Sequence, residues 1–240
     1  MERFFVESDA IQRNTATITG EDVAHITRVL RLKAGDEIRI CDGQGREYTA
    51  RLTMLQKQEV QAALLEQVAI HTEPAHTVTL YQGLPKTGKM EVIIQKCVEL
   101  GISAIVPLVT ERCVVKPGAD FEKKRVRYQR VAYEAAKQSG RGIIPAVRPL
   151  ITFTQLPYGA HDLVLHAYEE EHARTLKQAL QGAKARDIAI LIGPEGGFTK
   201  EEVELSMHSG AKTVTLGSRI LRTETAGMAM LAMTLYELEG

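Results

Sequence analysis

A change of rhythm near residue 77 constrains this chain more than any single motif. Before it, apolar and polar residues alternate at the two-residue period of half-buried strands: RFFV at 3–6, TATIT at 15–19, DEIRICD at 36–42, REYTARLTM at 46–54 and VQAALLEQVAI at 60–70. One stretch departs from it, because over residues 22–30 Val23, Ile26, Val29 and Leu30 fall on one helical face. Asp42-Gly43-Gln44-Gly45 supplies a glycine turn between two strands, as a hairpin requires. Together these features predict a small β-barrel carrying one helix. After residue 77, continuous apolar strands are predicted at 78–82, 103–108, 162–166, 188–192 and 213–216, with helical stretches between them. That alternation belongs to a mostly parallel sheet covered on both faces. HTEPAHT at 71–77 interrupts both patterns with Pro74 and polar residues, so the expected domains are 1–72 and 73–240.

Charge is distributed unevenly along the chain. Its 240 residues carry no net charge, yet residues 83–148 hold 13 Lys and Arg against 6 Asp and Glu. A local excess of this size is a footprint for a polyanion, although solvated helix faces produce comparable ones. A predicted helix at 123–139 sets Lys123, Arg127, Arg130 and Lys137 along one side and Tyr128, Val131, Ala132 and Ala135 along another. No apolar run reaches the ~18 residues that cross a bilayer, and MERFFVESDA lacks the apolar centre of a secretion signal; a cytoplasmic protein is expected. Cys41, Cys97 and Cys113 form no CxxC pair and are read as reduced, packed thiols. The 7 histidines show no ligand spacing with carboxylates or cysteines, and no metal is expected.

Three segments carry candidate chemistry. GLPKTGKM at 83–90 has the spacing of a phosphate-binding P-loop up to its last residue, where Met90 replaces the hydroxyl that would bind magnesium. Nucleoside triphosphate hydrolysis is therefore set aside. Lys86 and Lys89, at the start of a helix, suit either an RNA backbone or plain solvation. In IAILIGPEGGFTKEEVE a buried strand runs into Gly193-Pro194-Glu195-Gly196-Gly197 and then into a helix opened by Thr199 with Glu202 three residues on, a capping box. In TVTLGSRILRTETAGMAMLAMTLYEL a strand, a loop at Gly217 and a helix beginning near Thr223 or Glu224 repeat the arrangement. Two such loops at the carboxyl ends of strands can face one another across a crevice. Arg219 and Arg222 flank Ile220 and Leu221, so this loop could wall an adenine ring and offer cations to an anionic substrate; equally, Arg222 could pair with Glu224 or Glu195.

LIGPEGGFT, LGSRILRTETA, the KMEVIIQKCVELG helix, TERCVV at 110–115 and EAAKQSGR at 134–141 together resemble the RsmE family of the SPOUT superfamily. RFFV and HITRVLRLKAGDEI resemble its PUA-like RNA-binding barrel. The resemblance implies a methyltransferase that uses S-adenosylmethionine to modify N3 of a uridine in small-subunit (16S) ribosomal RNA. It also implies a trefoil-knotted parallel-sheet domain that forms a homodimer. By the same resemblance the cofactor pocket falls on Leu165 and His166 with the loop after them. It continues on Leu191, Ile192, Gly193, Gly196 and Gly197, and on Leu216, Gly217, Ile220, Leu221, Arg222, Thr223, Thr225 and Ala226. Uracil N3 must lose its proton to attack a methyl group, so charge spreads onto the flanking carbonyls. Arg222 is assigned to stabilise that charge, and Glu224 to accept the proton or orient Arg222. Arg3, Arg28, Arg31, Lys86, Lys89 and Arg112 are the expected RNA contacts. The competing reading is an RNA-binding ribosome-assembly protein without methyl transfer.

Overall fold

The alternating segments of the first seventy residues form one six-stranded sheet in the computed structural model, which describes every residue except Thr87 and Ala119. Strands β1 (Arg3–Phe5), β2 (Ile11–Gln12), β3 (Thr15–Thr19), β4 (Glu37–Cys41), β5 (Glu47–Leu55) and β6 (Glu59–Val68) lie in the order β1-β4-β5-β6-β3-β2. Only the β1–β4 pair is parallel. One face of the alternation, including Phe4, Ile18, Ile38, Ile40, Leu52 and Val60, packs into a core of its own. Register shifts between Thr49 and Ala50 and between Leu52 and Met54 bend the long β5–β6 ribbon. The sheet is thus an open, curled half-barrel with β1 and β2 as edges, where the sequence suggests a barrel.

The expected helix has an unexpected pitch. Helix α1 (Glu21–Ala24) passes into a π turn over His25–Val29, in which Leu30 N–H donates to the His25 carbonyl five residues back. That wider turn rotates the later side chains: Val23 and Ile26 stay buried, whereas Val29 is 67% exposed.

The chain divides into two compact units, Met1–Glu73 with Ala136–Ile144 and Pro74–Ala135 with Pro145–Gly240. Within the first, Glu73 gathers the returning segment, accepting from Arg141 Nη2 at 2.5 Å and from the Gly142 N–H at 2.9 Å. The second unit holds β7 (Thr77–Gly83), β8 (Ala104–Val109), β9 (Ala146–Val147), β10 (Ile151–Thr152), β11 (Leu163–Ala167), β12 (Asp187–Ile192) and β13 (Lys212–Val214). They form a wholly parallel sheet ordered β10-β8-β7-β12-β11-β13, with β9 also on β8. Helices α2 (Lys89–Glu99), α3 (Phe121–Ser139), α4 (Leu176–Leu180), α5 (Lys200–His208) and α6 (Thr223–Glu239) complete the fold, the last residues of α3 grouping with the first unit. Helix α2 buries Met90, Ile93, Ile94, Cys97 and Val98 and ends at Gly101, whose φ of 98° calls for glycine.

Parallel strands put their carboxyl ends at one edge, so the loops after β7, β11, β12 and β13 emerge side by side. Cys41 and Cys97 are buried and Cys113 partly so; burial pushes the Cys41 and Cys97 thiols up to about 12, which leaves them unreactive. No helix of the described residues is long and apolar enough to cross a membrane.

Candidate active site

Two glycine loops shape the carboxyl edge. After β12 the chain turns through Gly193–Gly197, closed by the Gly197 N–H donating to the Pro194 carbonyl at 3.0 Å, with Gly197 at φ 66°. Helix α5 then starts in the capping box that the sequence predicts: Thr199 Oγ1 accepts from the Glu202 N–H at 3.2 Å and Glu202 Oε2 from the Thr199 N–H at 3.0 Å. The other carboxylate oxygen of Glu202 accepts from the Glu111 N–H at 2.9 Å, tying the loop after β8 to the same helix start. After β13 the chain turns at Gly217, φ 121°, and α6 begins with the Arg222 carbonyl accepting from the N–H groups of Thr225 and Ala226 at 2.8 Å.

Buried polar contacts lock these loops together. Thr223 Oγ1 donates to the Gly193 carbonyl at 2.6 Å and accepts from Gln82 Nε2 at 2.9 Å, while Gln82 also donates to the Gly83 carbonyl at 3.0 Å. Strand β7, the first glycine loop and α6 thus meet through one hydroxyl. Packing is equally close at Gly83, where a Cβ would lie 2.5 Å from Pro194 N.

Between the loops lies a cleft of about 690 Å³. Of the residues expected to hold a cofactor, Ile192, Gly193, Gly196 and Gly197 line one wall, and Leu216, Gly217, Ile220, Leu221, Arg222, Thr223 and Ala226 another. Four do not reach it. Leu165 and Leu191 are sheet core, Thr225 points outward on α6, and His166 is fully buried. His166 Nδ1 lies 2.7 Å from Ser206 Oγ and its ring stands edge-on to Phe198; burial pushes its pKa down to about 3, so it is a neutral core residue. The wall after β11 is built instead by Ala167, Tyr168, Glu169 and His172. Lys89, Pro194, Glu195, Phe198, Thr215, Ser218 and Arg219 also line the cleft without having been singled out as cofactor contacts. Most of them are immediate neighbours of residues that were.

Charge at the cleft centres on Lys89, whose Nζ is 3.0 Å from Glu195 Oε1 and 3.0 Å from Glu224 Oε2. Donation to the Glu195 carboxylate and then to that of Glu224 raises the lysine's pKa. Partial burial opposes ionisation of Glu195, but Lys89 and the Lys86 N–H outweigh it and hold its pKa below the usual range. Glu224 is held low first by its own backbone N–H, then by Lys89 and Arg222. Glu224 is therefore an ionised partner of Lys89 and a poor proton acceptor, and the pairing of Arg222 with either carboxylate does not form. Among the described residues the Arg222 guanidinium has no hydrogen-bond or ion-pair partner and projects at the cleft.

Comparison with known sequences places this architecture. The sequence model of the RNA methyltransferase domain matches residues 71–235. This chain belongs to that methyltransferase family. The model of the RNA methyltransferase PUA domain matches residues 18–65. Over 100% of its length the chain is 37% identical to ribosomal RNA small subunit methyltransferase E of Bacillus subtilis (strain 168), covering 98% of that protein. It is 38% identical to the protein of the same name from Synechocystis, over 96% of this chain and 76% of that one. A structure of ribosomal RNA small subunit methyltransferase E from Neisseria gonorrhoeae bound to S-adenosyl methionine superposes with a TM-score of 0.83 at 32% identity, covering 98% of this chain and 97% of that one.

Within this methyltransferase the six expected RNA contacts fare differently. Arg3 is engaged inside the first unit, bonded to both oxygens of Glu47 at 3.1 and 3.0 Å and to the Gly140 carbonyl, a structural use of its guanidinium. Lys89 is committed to the carboxylates of the cleft. Arg112 donates through Nη1 to the Gly196 carbonyl at 3.1 Å, beside the glycine loop. Arg28, Arg31 and Lys86 are exposed.

Proposed function

We propose that this chain transfers the methyl group of S-adenosylmethionine to N3 of a uridine in small-subunit (16S) ribosomal RNA, acting as a cytoplasmic homodimer. The observation that carries the reading is a cleft walled by bare glycine backbone and apolar side chains with a free guanidinium, Arg222, at its side. Its volume suits a ligand of the cofactor's size. Side chains at Gly193 or Gly197 would crowd it: a Cβ on Gly193 would lie 3.1 Å from Gly197 Cα, and one on Gly197 would lie 2.3 Å from Glu169 Oε1. Ile220 stands 87% exposed, an apolar face that an adenine ring would cover. Leu216, Gly217, Ile220 and Leu221 would hold the adenosine, and the main chain of Gly193–Gly197 its remaining polar groups.

When bound, S-adenosylmethionine supplies a sulfonium methyl that is already electrophilic. The protein's part is alignment and charge. Held against Gly193–Gly197 and the loop at Gly217, the donor would supply the methyl that N3 takes once its proton has left to water in the open cleft, and Arg222 stabilises the negative charge that spreads over the uracil carbonyls. Glu224, kept ionised by its neighbours, orders the cationic side of the cleft. The target base must be unpaired and turned outward, because pairing occupies its N3 edge. Arg28 and Arg31 on the first unit and Lys86 and Arg112 on the second are the proposed RNA cations.

Helix α6 supports the dimer: Tyr236 is 80% exposed and Met233 also faces outward on a helix that buries Ala226, Met230, Leu231 and Leu235. We read β12 lodged between β7 and β11, with α6 returning against α2, as the path of a trefoil-knotted chain. Incubation of the protein with small-subunit ribosomal RNA and the methyl donor, followed by mass spectrometry of the nucleosides, tests the function. N3-methyluridine is the expected product; calorimetric binding of the donor without that product would favour the assembly-protein reading.

A further inference from the structure

The proposed chemistry makes a demand that one arginine does not meet. Deprotonated uracil is an imide anion whose charge is shared by two carbonyl oxygens, one on each side of N3, so its stabilisation calls for a donor on each side. Cytosine differs at one of these positions, carrying an amino group where uracil has an oxygen. A cation fixed there attracts uracil and repels cytosine.

The cleft holds a second fixed cation. Lys89 opens α2 after the loop that follows β7, and its ammonium sits between Glu195 of the first glycine loop and Glu224 of α6 at 3.0 Å from each. The two carboxylates lie at ion-pair distance from an ammonium that has three N–H donors, so it keeps the capacity to donate to a further acceptor. Lys89 lines the same cleft as Arg222, and the Glu224 carboxylate feels the charge of both. The carboxylates keep the lysine protonated and limit its rotamers, which is the preorganisation that charge stabilisation requires.

Building on the uridine-N3 reading, we propose that Lys89 is a second catalytic cation: held by Glu195 and Glu224, it donates its remaining N–H to one carbonyl oxygen of the target uracil while Arg222 serves the other, and this imide clamp selects uracil over cytosine. The clamp donates hydrogen bonds only; the N3 proton still leaves to water.

The test compares wild type, Lys89→Met and Lys89→Arg on RNA carrying either uridine or 5-fluorouridine at the target. Fluorine acidifies N3–H, so it relieves a defect in anion stabilisation but not a defect in folding or cofactor binding. Lys89→Met is expected to retain S-adenosylhomocysteine binding by calorimetry and to lose about 10²-fold in kcat on uridine RNA. The loss should shrink several-fold on the fluorinated RNA, and Lys89→Arg should recover part of it. A readout independent of turnover is the fluorine resonance of the RNA–protein–S-adenosylhomocysteine complex titrated with pH, in which N3 should ionise at lower pH in wild type than in Lys89→Met. Equal losses on both RNAs, equal ionisation, or loss of S-adenosylhomocysteine binding in Lys89→Met would each overturn the clamp and leave the lysine a structural strap. Absence of N3-methyluridine with the wild-type protein would instead refute the underlying function.

Discussion

Thr223→Val tests whether the cleft is held open by one hydroxyl. Thr223 is 5% exposed, and its Oγ1 bridges the Gly193 carbonyl at 2.6 Å and Gln82 Nε2 at 2.9 Å. Valine keeps the shape and removes both hydrogen bonds. Gln82 retains the Gly83 carbonyl, but among the described residues its Oε1 has no hydrogen-bond partner, so the buried amide is left with one bond. Gly193 O loses its donor at the wall of a cleft that water can enter, which softens the penalty. Leaving buried groups unsatisfied costs about 1–3 kcal/mol. At about 2–4 °C per kcal/mol for a chain of this size, thermal denaturation should fall by a few degrees at least. The affinity for S-adenosylmethionine should fall as well, because the contact pins the glycine loop to α6. Differential scanning fluorimetry and titration calorimetry measure the two effects, with Thr223→Ser as the control that keeps the hydroxyl. Unchanged stability and affinity in Thr223→Val, or a serine variant as damaged as the valine, would refute the reasoning.

Gly83→Ala should be harsher: its Cβ would sit 2.5 Å from Pro194 N and 2.9 Å from Gly193 C, backbone atoms that cannot rotate away, so a loss of about 1–3 kcal/mol or more and weakened cofactor binding are expected in the same two assays. Arg222→Ala should lower kcat about 10²–10³-fold with S-adenosylmethionine still bound; unchanged turnover on ribosomal RNA would remove the arginine from the chemistry. His166 is neutral in the fold with a pKa of about 3 against 6.5 when unfolded, so the stability it contributes is complete above pH 6.5 and is lost as pH falls toward 3. The slope reaches about 1.4 kcal/mol per pH unit, and urea denaturation of His166→Phe between pH 6.5 and 4 should show a flatter dependence than wild type. Lys86→Ala should weaken RNA binding and reduce the slope of log affinity against log salt by about one, as expected for one lost phosphate contact.

What the sequence discloses here follows the range of the physics involved. Binary patterning is local, so the longer strands of both units and the stripe of α2 were legible within a residue or two, as were the capping box of Thr199 and Glu202 and the two glycine loops, whereas the two-residue strands β2, β9 and β10 are too short to carry a period. Strand order is non-local: nothing in the period of ILIGPEGG tells that β12 lies beside β7, or that β11 separates β12 from β13 and so adds a third wall to the crevice. His166 shows how the same limit displaces a site. Apolar periodicity places it at a strand end, but β11 runs one residue further, through Ala167, and turns the His166 ring into the core beside Phe198, leaving Tyr168 and Glu169 to face the cleft. The π turn at His25–Val29 is invisible for a related reason, since a single widened turn shifts the buried face without altering the composition that announces a helix. Lys89 lies between these cases. Its position at the head of a helix after a buried strand was readable, and so was the failure of the P-loop at Met90. The meaning of its charge was not, because the two carboxylates that fix it arrive from residues more than a hundred positions away, and only the fold brings them to one ammonium.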